Sequence, residues 1–263
     1  MSSVDPRRGL ALLAPETEAL NRDIAALTPQ QWSNDSNCAG WQVADLVAHV
    51  VRNCWSFLTF TRSALAGDST PAFGPSVQHI QDEVKAGGPQ AAAERQQRES
   101  DEFVRLAGSL SEADLQKEGK HPRGVRTIAW ACTQRLAEAS FHHWDLRRSL
   151  GHDGPLATDL AGHLLPFMLS PGGANIMTDL APGATAGTFR LKASDSGSSW
   201  RISIGENGRV VEADAAGPAS LEVTADAGWV ALALYGRVPI DGPEFRLDGP
   251  PQAIQQFKSA FGC

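Results

Sequence analysis

Glu138, His142 and Asp145 are spaced four and then three residues apart in the run Arg135-Leu136-Ala137-Glu138-Ala139-Ser140-Phe141-His142-His143-Trp144-Asp145. From Ile128 to Leu150 there is neither Gly nor Pro, and Gly151 follows, so the spacing predicts one helix. At about 100° per residue, Arg135, Glu138, His142 and Asp145 share a sector of roughly 80°. Phe141 and Leu146 border that sector, while Thr133, Ser140 and Arg147 lie opposite and would form the solvent face. A second polar stripe edged by apolar side chains belongs inside a bundle, where ionisable groups need a partner or a cation. Two chemistries fit. Glu138 and His142 can give a carboxylate oxygen and an imidazole nitrogen to one metal ion, or they can form an ordinary i, i+4 contact. Asp145 can accept the remaining ring N–H of His142, or be held by Arg148 or Arg135. His143 is turned away from Glu138.

Three further helices must position this one. The first runs from about Asp5 to Leu27, with Leu10, Leu13, Leu20, Ile24 and Leu27 as its stripe, and Thr28-Pro29 ends it. A loop rich in Asn, Asp, Ser and Gly spans Asn34 to Gly40. Gly40-Trp41 then opens a second helix to about Ala66, with Leu46, Val50, Cys54, Phe57 and Leu58 facing a core. His49 sits at the margin of that stripe, the place of a core histidine or of a ligand. A third, polar helix covers Val77 to Leu106 with an interruption at Gly87-Gly88-Pro89, and its charges form a solvated face. Polar residues fill Lys117–Arg126. Four helices without a strand signal predict a four-helix bundle.

After Gly151 the pattern changes. Residues 152–166 stay helical, and Ser170–Gly187 is rich in Pro, Gly and Ala. Alternation predicts strands at 188–192, 199–204, 210–214 and 220–224, with an edge strand at 245–247 and helices from Asp226 to Tyr235 and from Pro251 to Phe261. The expected organisation is a bundle over 1–168, a linker or lid over 169–184, and a small α+β domain over 185–263. The 263 residues carry 23 basic and 30 acidic side chains, net −7, which argues against a general nucleic-acid or anionic-membrane binder. No run is long and apolar enough for a membrane span, and no signal-peptide pattern opens the chain. Four scattered cysteines without CxxC suit a reducing cytoplasm. Cys54 and Cys132 read as core residues, and Cys38, beside a turn, is the one to watch.

Trp41-x-x-x-Asp45-Leu46-x-x-His49 on the second helix, with Glu138-x-x-x-His142-x-x-Asp145 on the fourth, resembles the DinB-like metalloenzyme superfamily. Within it the chain is most similar to the mycothiol-dependent maleylpyruvate isomerase family. Leu221-Glu222-Val223-Thr224, Leu232-Ala233-Leu234-Tyr235-Gly236-Arg237 and the terminal helix resemble the domain similar to sterol carrier protein 2 found there. The resemblance implies His49, Glu138 and His142 as ligands of a divalent metal, usually zinc, with an open coordination position. It implies mycothiol or another low-molecular-weight thiol as cosubstrate, attacking an electrophilic small molecule in an isomerase or S-transferase reaction. Arg237 matches the family's Gly-Arg and is the candidate for an anionic substrate. Arg52, three residues after His49, and Trp41 are candidates for contacting what binds at the metal. A cytoplasmic monomer or homodimer is expected. The alternatives are a small-molecule or lipid carrier, and a stress-associated metalloprotein whose ion is structural.

Overall fold

The structure, a computed structural model, describes residues 4–68, 72–170, 186–205 and 208–261 and divides into two compact units, Asp5–Asp153 and a second one built from Gly154 onward. The first unit is a helical bundle of α1 (Pro6–Ala25), α3 (Val43–Ala66), α4 (Gln78–Ser109) and α6 (Ile128–Ser149). The short helices α2 (Pro29–Trp32) and α5 (Glu112–Leu115) lie in its connections. α3 packs against α4 and α6, and α1 closes the ring against the same two helices. Helix ends follow local chemistry. Asp5 accepts from the Arg7 N–H at 2.9 Å ahead of Pro6, Thr127 accepts from Trp130 N–H at 3.2 Å, and Gly67 ends α3 in the left-handed region at φ 73°. α4 is kinked at the interruption that Gly87-Gly88-Pro89 announces: Gly88 takes the non-helical φ 77°, ψ −178°, so two helical stretches meet there.

Two features of this unit depart from the sequence reading. Lys117–Arg126 is not plain connection. β1 (Glu118–His121) and β2 (Gly124–Thr127) form an antiparallel hairpin, seated so tightly on α3 that a Cβ on Gly119 would come within 2.8 Å of the Phe60 ring. The face of α6 carrying Thr133 and Ser140 is buried, not solvated. Each hydroxyl donates to a carbonyl of its own helix, Thr133 to Ala129 O at 3.2 Å and Ser140 to Leu136 O at 2.7 Å, so neither needs water. α6 is therefore the central helix of the bundle, and only its C-terminal end, at Arg147 and Arg148, is exposed.

The second unit holds α7 (Thr158–Leu169), α8 (Ala227–Leu234), α9 (Pro251–Phe261) and a mixed sheet. The sheet has the order β5 (Gly208–Ala213), β4 (Ser198–Gly205), β3 (Gly187–Ala193), β6 (Leu221–Ala225), β7 (Arg246–Asp248). β3 and β6 run parallel and all other pairs are antiparallel. Alternate residues Phe189, Leu191, Trp200, Ile202, Leu221 and Val223 are buried, and α8 and α9 pack against β3 and β6. The helical pattern of 152–166 falls within the 1–168 assigned to the bundle, but α7 packs on α8 and the described contacts divide the chain after Asp153. The linker or lid expected at 169–184 falls almost wholly outside the described residues.

Candidate metal centre

α3 and α6 lie side by side in the bundle, and their facing positions bring three side chains to one point. Glu138 Oε2 stands 3.6 Å from His49 Nε2 and 3.4 Å from His142 Nε2. Neighbouring ligands of a tetrahedral ion with bonds of roughly 2.0–2.1 Å are about 3.4 Å apart, so the separations fit. The two imidazoles meet edge to face with centroids 4.8 Å apart, and the three ligand atoms lie within 4.8 Å of one another. The other oxygen of Glu138 accepts from Gln134 Nε2 at 3.0 Å, which fixes the carboxylate along its own helix. Two imidazoles and one carboxylate, with no fourth ligand in that group among the described residues, are the donor set of an open site.

Electrostatics sort the three groups. Burial would raise the Glu138 pKa, but hydrogen bonds from His142 and His49 hold it well below the usual carboxylate range. Burial would lower His142, but Asp145, Cys38 and Glu138 outweigh it and hold it well above the usual imidazole range. His49 is lowered, first by burial, with Glu138 opposing and the His142 and Arg52 charges adding to the fall.

The histidines are also held differently. His142 Nδ1 lies 3.0 Å from Asp145 Oδ2, and a buried carboxylate can only accept there, so Nδ1 carries a proton. His49 Nδ1 lies 3.1 Å from Arg52 Nη2. A guanidinium only donates, so this nitrogen accepts and the His49 proton sits on Nε2, toward Glu138. Arg52 is thus at the site and not in a surface ion pair. Trp41 sits in the loop just before α3, its ring 5.2 Å from His49. Asp145 is held by His142, Asn37 and Cys38, at 3.0, 3.1 and 3.3 Å. Arg135 is buried nearer Cys54 and Glu99, where its charge bears on both. His143 points the other way and joins Glu16 at 2.7 Å and Asp23 at 2.9 Å, tying α6 to α1. Arg237 lies in the second unit just past α8, its guanidinium 5.1 Å over the Tyr235 ring.

Sequence reasoning missed Asn37, Gln134 and His121. Gln134 had a signal, standing four residues before Glu138. His121 had none: it reaches the bundle only through the hairpin, packing between Phe73 and Trp130 with centroids 4.7 and 4.9 Å away.

Residues 13–147 match the family model described as the mycothiol maleylpyruvate isomerase N-terminal domain. The fold is similar to a solved mycothiol-dependent maleylpyruvate isomerase, at TM-score 0.69 and 15% identity over 94% of this chain and 96% of that one. A point mutant of a mycothiol-dependent maleylpyruvate isomerase superposes with TM-score 0.67 at 15% identity over the same shares of the two chains. No curated protein matches. At that identity the superpositions speak for the fold of both units.

Proposed function

This chain belongs to the family of the mycothiol maleylpyruvate isomerase N-terminal domain, and from that premise we propose that it is a divalent-metal, thiol-dependent enzyme acting on an electrophilic small molecule. The observation that carries the reading is the pair of imidazole nitrogens converging on one oxygen of Glu138, 3.6 and 3.4 Å away. His49, Glu138 and His142 would hold the ion, with zinc the proposed metal because imidazole and carboxylate suit it. When bound, such an ion lowers the pKa of a coordinated thiol and so supplies a thiolate at neutral pH.

This chain's own residues then do three things. Asp145 keeps the Nδ1 proton of His142 in place, leaving Nε2 free for a ligand bond. Arg52 borders the site with a positive charge that suits the carboxylate or developing enolate of an unsaturated acid. Arg237, in the second unit, is proposed for the same class of anionic group. The thiol is proposed to be mycothiol. In an isomerase, its sulfur adds to the cis alkene, the electron pair moves to the enolate, the new single bond rotates, and the pair returns as the C–S bond breaks. In an S-transferase a proton reaches the enolate carbon and the thioether remains. The mixed-sheet unit is proposed to be the counterpart of the sterol-carrier-like domain of that family.

The test incubates the metal-loaded protein with thiol and a panel of electrophiles, following alkene geometry by NMR and adducts by mass spectrometry. Conversion that is lost in His49→Ala supports the enzyme. A loaded protein that leaves every thiol and electrophile unchanged would instead favour the carrier or structural-metal alternatives.

A further inference from the structure

We propose that the Ser36–Trp41 loop is a positioning element of the metal centre, in which the Asn37 amide and the Cys38 thiol hold the Asp145 carboxylate so that it fixes the His142 ring. The inference rests on the metal reading above and adds Asn37 and Cys38, which that reading does not use. Asp145 is fully buried on α6, and both of its oxygens are engaged from the loop. Asn37 Nδ2 donates to Oδ1 at 3.1 Å, and Cys38 Sγ donates to Oδ2 at 3.3 Å, the oxygen that also meets His142 Nδ1 at 3.0 Å. A carboxylate held at one oxygen can still turn about its Cβ–Cγ bond; one held at both cannot.

The loop is itself fixed. Asn37 N–H donates to Ser149 Oγ at 2.8 Å, and that hydroxyl donates to Asp145 O at 2.7 Å, so the loop grips α6 a full turn beyond the carboxylate as well. Ser36 N–H to Trp41 O at 2.8 Å and Trp41 N–H to Cys38 O at 3.0 Å close it on itself, with Gly40 at φ 77° making the turn. Because the Trp41 ring lies tilted against His49, one short loop borders both imidazoles.

Two readouts on the full chain test this. In the metal-free protein, a slowly exchanging Hδ1 resonance of His142 is expected in the wild type and in Cys38→Ser, which keeps a donor. It should broaden or vanish in the Asn37→Ala/Cys38→Ala double variant while circular dichroism stays unchanged. In chelator competition the double variant should bind zinc about 10-fold more weakly, with Cys38→Ser within about twofold of wild type. A double variant that keeps both the resonance and the affinity overturns the proposal. So does a sulfur-to-cadmium absorption band present in the wild type and absent in Cys38→Ser, since Cys38 would then be a ligand. Failure of the wild type to bind zinc would count against the metal reading alone, and the Hδ1 resonance would still decide the clamp.

Discussion

At the scale of single residues, the opposed tautomers of His49 and His142 make separable predictions. Asp145 favours a lone pair on His142 Nε2, whereas Arg52 sets a cation against His49 Nδ1 and draws the ring proton to Nε2, the atom proposed to meet the metal. Arg52→Met is therefore expected to tighten zinc binding a few-fold and to weaken the anionic partner. Loss of a charge-assisted bond costs about 1.5–3 kcal/mol, or roughly 10- to 100-fold in KM. Zinc competition and steady-state kinetics on the same preparation read both, and parallel losses in the two would refute the assignment. His121 gives a pH dependence. Burial, with Arg126 and Arg123 nearby, lowers its pKa from 6.5 to about 4. Its Nδ1 accepts from the Arg123 N–H at 3.2 Å, as a neutral ring can. Below the unfolded value of 6.5 the unfolded chain takes up a proton that the folded chain refuses, so stability falls as pH drops toward 4 and is unaffected above 6.5. The ring is half-buried, and screening reduces the effect to roughly 1 kcal/mol. Urea midpoints at neutral and acid pH should converge for His121→Gln more than for wild type. The grouping of His49, Glu138 and His142 was legible because the Glu138/His142 pair keeps helical spacing and His49 borders the core stripe of its own helix. Asn37 was not, and Cys38 stood out only as a cysteine beside a turn, because a bond from a loop to a residue more than a hundred positions away leaves no periodic trace.

At the scale of elements, the second unit's strands were legible because buried Phe189, Leu191, Trp200, Ile202, Leu221 and Val223 alternate with half-buried positions. The β1–β2 hairpin was not. Its strands have four residues each and no buried position, and it is recognised only by where it sits on α3. The solvent face assigned to α6 failed for a related reason, since a hydroxyl that bonds its own helix counts as apolar in packing though it reads as polar in sequence. Gly88 is the element-scale test of the bundle. Its Cβ would meet nothing within 4 Å, so the cost of Gly88→Ala is that of the backbone alone. At φ 77°, ψ −178° that cost is about 1–3 kcal/mol, and a urea melt should show it without loss of zinc affinity. An unchanged midpoint would mean that α4 can straighten through this point.

At the scale of the whole chain, the placement of α7 decides what can be cut. All three proposed ligands, Asp145 and its loop partners lie between Asp5 and Asp153, so a fragment of those residues should stay helical and bind zinc within a few-fold of the full chain. Extending it to residue 168 adds most of α7 without its partner. Leu160, Leu164, Leu165, Phe167 and Met168 are buried in the full chain and would be bare, so the longer fragment should be the less soluble one. Gly228 approaches the same question from the other side. A methyl group there would run into the Leu156 carbonyl and Pro155, where backbone packs directly on α8. Overpacking against main chain cannot be relieved by a rotamer change, and Gly228→Ala is expected to lose about 1–3 kcal/mol from the second unit. If the units melt separately, only one calorimetric transition should move, and zinc affinity should stay where it was. Loss of zinc from the 5–153 fragment, or a Gly228→Ala variant with weakened zinc binding, would show that the centre depends on residues beyond the bundle.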